Sequence, residues 1–147
     1  MANEKTVRVV WRGDMSFDGL GSTFPDFAIP LDADQSVGGH DQGFRPLELL
    51  LIGLAGCTAM DTISILRKKQ QAVTAFEVEV QGAQAEEHPK YYTDITITYR
   101  VTGHDVDPKA VARAIELSET KYCPATAMLR EKARITSRYE ILQAQPE

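Results

Sequence analysis

Two cysteines are the residues of this chain best suited to covalent chemistry, and each stands in an unusual place. Cys57 lies in Gly53-Leu54-Ala55-Gly56-Cys57-Thr58-Ala59, where small residues thin the chain around the sulfur. A glycine within a helix costs about 1 kcal/mol against alanine, so two of them near one sulfur predict a close approach by another backbone or a ligand. Cys123 precedes Pro124. With Pro124 as the first residue of a helix, Cys123 becomes the N-cap, and its sulfur meets unpaired backbone N–H groups and the positive dipole end, which favours the thiolate. A free cysteine is also ordinary core filler, so the pair acquires chemical meaning only where the two sulfurs meet in space. If they meet in a reducing compartment, a catalytic or redox-sensing pair is expected rather than a structural disulfide.

Competing chemistries find little support. His40, His88 and His104 are scattered, and there is no C-x-x-C or paired-histidine spacing, so no metal site is predicted. G-x-S-x-G, G-x-G-x-x-G and Walker patterns are absent, and no cofactor is expected. A reactive thiolate needs a cation to hold it ionised. Arg12, ending the first strand, and Arg45, just before the long helix, are the candidates. Glu48 shares a helix with Cys57, yet the two face about half a turn apart and stand about 13 Å apart along the axis. Asp61 follows Cys57 by one turn on the same face. Its negative charge opposes a thiolate, so it reads as the end of the buried stretch.

The elements that must position these groups follow from periodicity. Val7, Val9 and Trp11 alternate with Arg8 and Val10, predicting a strand with one face inward. Short strand pieces around Phe24, Phe27 and Ile29 complete a small meander, and Asp32 to Gly43 reads as a surface loop. Arg45-Pro46 launches a helix to about Gln70 that is apolar on almost every face between Leu49 and Met60. Such a helix needs a sheet on one side and a second cover on the other, and the simplest second cover is another copy of itself. Two half-buried antiparallel strands follow, around Phe76 to Gln81 and Ile95 to Val101. A helix capped by Asp107-Pro108 then runs through about Lys121, with Val111, Ala114, Ile115 and Ser118 on one stripe. Pro124 to Lys132 forms a short helix, and Ile135 to Leu142 a closing strand. The fold class is α+β.

Composition bounds the rest. A chain of 147 residues, 43% hydrophobic and 25% charged, is one globular domain, 1–147. With 16 Lys and Arg against 21 Asp and Glu the net charge is −5, which offers no field to phosphate backbones or anionic lipid, so neither nucleic acid nor membrane is an expected partner. The uncharged run from Leu49 to Met60 is shorter than the roughly 20 residues that cross a bilayer. No basic region followed by an apolar stretch opens the chain, and the cytoplasm is the expected location.

The run Arg45-Pro46-Leu47-Glu48-Leu49-Leu50-Leu51 leading to Gly56-Cys57, together with Lys121-Tyr122-Cys123-Pro124 ahead of the final strand, resembles the OsmC/Ohr family of osmotically inducible and organic-hydroperoxide-resistance proteins. The resemblance spans nearly the whole chain. Gly56-Cys57-Thr58-Ala59-Met60-Asp61 and Glu116 to Cys123 are most similar to a less-characterised OsmC-like branch. The resemblance implies antiparallel sheets packed around a long buried central helix, in an intertwined homodimer with each cysteine pair at the subunit interface. It implies that Cys57 attacks an organic hydroperoxide, that Cys123 resolves the sulfenic acid into a disulfide, and that an external dithiol resets the enzyme. Arg12, Arg45 and Glu48 are its candidate supporting residues. Leu47 stands where the family's peroxidases carry Glu, with Glu48 one position later. This keeps an alternative open: a homodimer that binds an apolar small molecule or senses redox state without catalysis.

Overall fold

The longest apolar run folds as helix α1, Pro46–Lys68, in a computed structural model that describes residues 3–146. Pro46 takes the first helical position, where its missing N–H removes no bond, and Arg67 and Lys68 face the negative dipole end. Before α1 come β1 (Val7–Gly13), β2 (Ser16–Gly21) and β3 (Ile29–Leu31). After it come β4 (Ala72–Gln84), β5 (Tyr92–His104), α2 (Pro108–Leu117), α3 (Pro124–Leu129) and β6 (Arg134–Gln143). The strands form two sheets, ordered β1-β2-β3 and β4-β5-β6. The chain clusters into two compact units, one running to Leu50 and the other from Leu51 onwards.

In the first unit both strand pairs are antiparallel. Gly13 and Asp14 turn the β1–β2 hairpin with φ of 104° and 47°, and the Trp11 indole N–H donates to the Asp14 carbonyl at 2.8 Å. The period-two pattern is present, but its predicted inward face is not buried: Val7, Val9 and Trp11 are all exposed. Three strands form a single layer, and a layer buries a face only against a second one. An apolar groove of about 510 Å³ therefore lies open between Val7, Val9, Phe24, Phe27, Leu31 and Leu49. The loop after β3 is also more ordered than its composition suggests. Asp32 is buried, and its carboxylate accepts from the N–H groups of Ala33 (2.8 Å), His40 (3.1 Å) and Gln42 (3.2 Å). Burial works against that charge, but the three donors prevail and hold the carboxyl below the usual range.

In the second unit β4 and β5 pair antiparallel as predicted, whereas β5 and β6 pair parallel. The sheet is mixed, which corrects the expectation of antiparallel sheets throughout. A parallel partner needs a crossover connection. Here α2, a π-helical turn and α3 supply it. Ile95, Ile97, Tyr99 and Val101 of β5 are fully buried. From α1 a stripe at four-residue spacing, Leu54, Thr58, Thr62 and Leu66, is buried, while Leu50, Ile52 and Met60 are exposed, Met60 by 74%. Within one chain the helix thus has only one of the two covers its apolar surface calls for. By length and composition alone α1 could cross a bilayer. Within its buried stripe, Thr58 is hydrogen-bonded to other elements of the protein, as described below.

Helix α2 begins as the sequence predicts, with the Asp107 carboxylate capping the Lys109 N–H at 3.0 Å and Pro108 in the first turn. Ala110, Val111, Ala114 and Ile115 are buried. The α-helix ends at Leu117 rather than near Lys121. Ser118–Tyr122 forms a π-helical turn, closed by the Cys123 N–H on the Ser118 carbonyl at 2.7 Å. Proline disfavours helical backbone in the residue before it. Cys123 accordingly leaves the turn extended, with φ −78° and ψ 106°.

Candidate thiol site

Cys57 is half-buried in the middle of α1, and Cys123 is buried at the N-cap of α3, as Pro124 predicted. The Thr126 N–H donates to the Cys123 sulfur at 3.4 Å, and the Ala125 N–H is directed at the Cys57 sulfur. The two sulfurs and an Asp61 carboxylate oxygen all lie within 4.8 Å of one another. Elements far apart in the chain therefore bring the cysteines together. A disulfide closes the sulfurs to about 2.0 Å, a movement on the scale of side chains. Burial pushes the Cys57 thiol up, and the shared hydrogen bond with Cys123 and the charge of Asp61 push the same way, with only the Ala125 N–H opposing them.

Asp61 is more than the end of an apolar run. It sits beside both sulfurs, and it also closes a buried chain of hydroxyl groups. Ser118 Oγ donates to Asp61 Oδ2 at 3.0 Å, Thr58 Oγ1 lies 2.8 Å from Ser118 Oγ, and the Tyr99 hydroxyl lies 2.7 Å from Thr58 Oγ1. Each hydroxyl carries one hydrogen. Since Ser118 gives its hydrogen to Asp61, Thr58 donates to Ser118, and the single Tyr99 hydrogen lies between Thr58 and the Glu119 carboxyl. The Ser118 and Thr58 O–H groups point along the chain toward the Asp61 carboxylate. At the far end Glu119 contacts Tyr99 and accepts from Ser137 Oγ at 2.9 Å. Burial pushes both the Glu119 carboxyl and the Tyr99 hydroxyl up, so each keeps its proton further into the alkaline direction than usual.

The sequence did not single out Thr58, Tyr99 or Glu119, and it placed Ser118 only on an apolar stripe. The available signal was a run of polar residues at buried positions, which must find partners. Gly53 and Gly56 behave differently from their prediction. A Cβ at either would meet nothing within 4 Å, so no described part of the chain makes the close approach. The two sulfurs and the carboxylate are also donor types that bind zinc, a grouping the linear spacing conceals.

The charged candidates are occupied locally. Arg12 pairs with Asp18 across the β1–β2 hairpin. Arg45 pairs with Asp41, approaches Asp34 at 4.0 Å and donates to the Asp32 carbonyl at 3.4 Å. Glu48 reaches back to accept the Arg45 backbone N–H at 2.8 Å, the carboxylate half of a capping box at the start of α1.

Comparison with known proteins adds four findings. A family model described as "OsmC-like protein" matches residues 39–138. Protein YhfA of Escherichia coli K12 is 36% identical over 137 residues, 93% of this chain and 98% of its own. Among solved structures, a hypothetical protein from Aquifex aeolicus is 28% identical with a TM-score of 0.85, covering 98% of this chain and 100% of that one. An organic hydroperoxide resistance protein OsmC from Legionella pneumophila shares the fold, with a TM-score of 0.72 at 11% identity over 95% of this chain and 98% of that one.

Proposed function

The chain belongs to the OsmC/Ohr family, and from that premise we propose that it is a thiol-dependent peroxidase acting on organic hydroperoxides, with no metal or bound cofactor. The observation that carries this reading is the approach of Cys57 and Cys123 to within 4.8 Å. In the proposed cycle the Cys57 sulfur attacks the terminal oxygen of R–O–O–H, the O–O bond breaks, and the products are Cys57 sulfenic acid and ROH. The Cys123 sulfur then attacks Cys57, expelling the sulfenic oxygen as water and leaving a disulfide. An external dithiol reduces it. A reducing compartment such as the cytoplasm suits that requirement.

The working unit in this reading is a homodimer of a single-domain chain. The exposed face of α1 and the open apolar groove of the first sheet are the surfaces a second copy would cover. Arg45, Arg12 and Glu48 are the proposed groups for orienting the hydroperoxide, each having to loosen a local partner to do so. The Legionella relative's name supports organic hydroperoxides as the substrate class.

Mass spectrometry after one equivalent of cumene hydroperoxide tests the proposal. The expected result is a loss of two hydrogens per chain, absent in Cys57→Ser. A second reading, apolar small-molecule binding without catalysis, is favoured by the 510 Å³ groove lined by Phe24 and Phe27. Thiols that persist through the peroxide challenge would overturn the peroxidase and favour that alternative.

A further inference from the structure

A half-buried thiol faces a proton problem that the cysteines alone do not solve. At neutral pH Cys57 must lose a proton before it attacks, and the leaving alkoxide must gain one. Burial and neighbouring charge keep Cys57 protonated beyond the usual thiol range. A proton acceptor has to stand beside the sulfur, and one does. Asp61 follows Cys57 by one helical turn, and its carboxylate lies within 4.8 Å of both sulfurs. Ser118 fixes one oxygen, and the hydrogen count along Ser118 and Thr58 aims both hydroxyls toward that carboxylate, with Tyr99 backing Thr58. The carboxylate also borders a cavity of about 420 Å³ shared with Ile65, Lys68, Lys69, Leu117 and Tyr122, which gives it a route to solvent.

Building on the peroxidase reading, we infer that Asp61 is the proton-transfer residue of the thiol pair, taking the proton from Cys57 and returning it to the leaving oxygen. In the first step the Cys57 S–H bond breaks and the proton passes to the Asp61 carboxylate. The thiolate forms an S–O bond as O–O breaks, sulfur is oxidised by two electrons and the peroxide is reduced. Asp61 then protonates the alkoxide to ROH. In the second step Asp61 takes the Cys123 proton and delivers it to the departing hydroxide, so that S–S forms, S–O breaks and water leaves. Each step returns Asp61 to its starting state. The buried hydroxyl chain is a positioning device, stabilising the carboxylate between transfers.

The charge of Asp61 and its proposed chemistry pull in opposite directions, and this makes the inference testable. As a charge Asp61 holds the thiol protonated, so its removal should ionise Cys57 more readily. As a proton carrier its removal should slow peroxide reduction. The titratable groups around the pair are Cys123 at the end of the π-helical turn, Tyr122 beside it, Tyr99 on β5 with its partner Glu119, and Asp61, Lys68 and Lys69 following Cys57. In a Cys123→Ser background Cys57 is the sole thiol. There, Asp61→Asn should move the pH profile of iodoacetamide alkylation toward acid while slowing cumene hydroperoxide oxidation of the thiol by about a hundredfold. Asp61→Glu should recover part of that rate, and Ser118→Ala should lose less than Asp61→Asn. Alkylation and peroxide oxidation changing in the same direction would overturn the assignment, as would Asp61→Glu behaving like Asp61→Asn. A Cys123→Ser parent inert to hydroperoxide would instead overturn the peroxidase reading itself.

Discussion

The unit ending at Leu50 and the unit beginning at Leu51 use polar residues in different ways. In the first, buried Asp32 apart, charges are spent at the surface: Arg12 on Asp18, Arg45 on Asp41, Glu48 on a helix start. Its large apolar side chains, Val7, Trp11, Phe24 and Phe27, stay exposed. The second unit closes a core around Leu54, Ile97, Tyr99 and Val111, and inside that core it keeps a row of hydroxyl groups leading to a thiol pair. Surface ion pairs contribute little, with a median of about 0–1 kcal/mol, whereas a buried polar group left unpaired costs about 1–3 kcal/mol. The lesson is that chemistry resting on geometry resides where the protein has a core to hold it.

The contrast can be broken most sharply at the sulfurs. Cys57→Ser should abolish hydroperoxide-driven disulfide formation while leaving the far-ultraviolet circular dichroism of the fold unchanged; residual disulfide by mass spectrometry would contradict the assignment. Next in size, Tyr99→Phe removes one member of the buried row without changing its volume much. It should lower stability by about 1–3 kcal/mol in urea titration, and an unchanged midpoint would mean that the row is not structural. In the other unit, Glu48→Ala removes a helix cap together with a proposed hydroperoxide-orienting carboxylate. It should cost about 1 kcal/mol of stability and slow peroxide oxidation of the thiols; unchanged peroxide reactivity would leave Glu48 a cap alone.

The smallest expected effect concerns pH. Burial raises the Glu119 carboxyl above its ordinary 4.5. Its folded value lies above its unfolded one, so its contribution is fully present below about pH 4.5 and is lost as pH rises through the folded value. At neutral pH the buried carboxyl therefore works against the fold, because unfolding lets it ionise freely. Glu119→Gln should raise the neutral-pH melting temperature by about 1–3 °C and lose that advantage near pH 4. A gain of equal size at both pH values would remove ionisation as its cause.

Much of the helical scaffold was legible from residue types. Pro46, Asp107-Pro108 and Cys123-Pro124 fixed three helix starts, because proline and its preceding cap leave little choice of backbone. The stripe Val111, Ala114 and Ile115 named the buried face of α2. What periodicity cannot carry is partnership between distant segments. Nothing near Arg134 says that β6 runs parallel to β5; the crossover decides it. The exposed face of β1 shows the same limit, since alternation marks a face without saying what covers it. At the site, Cys57 and Cys123 could be chosen by type, whereas Asp61 was read by its charge alone. Its role as the terminus of the Ser118, Thr58 and Tyr99 row depends on three elements meeting.

The π-helical turn makes the site sensitive to residue number as well as residue identity. Five residues, Ser118–Tyr122, carry the chain from α2 to the second cysteine. Removing one would let the backbone rewind at 3.6 residues per turn and swing Cys123 by about 100° around the axis, unhooking its sulfur from the other. A single-codon deletion at this point would thus disarm the protein while every side chain with a part in the chemistry stayed in the sequence.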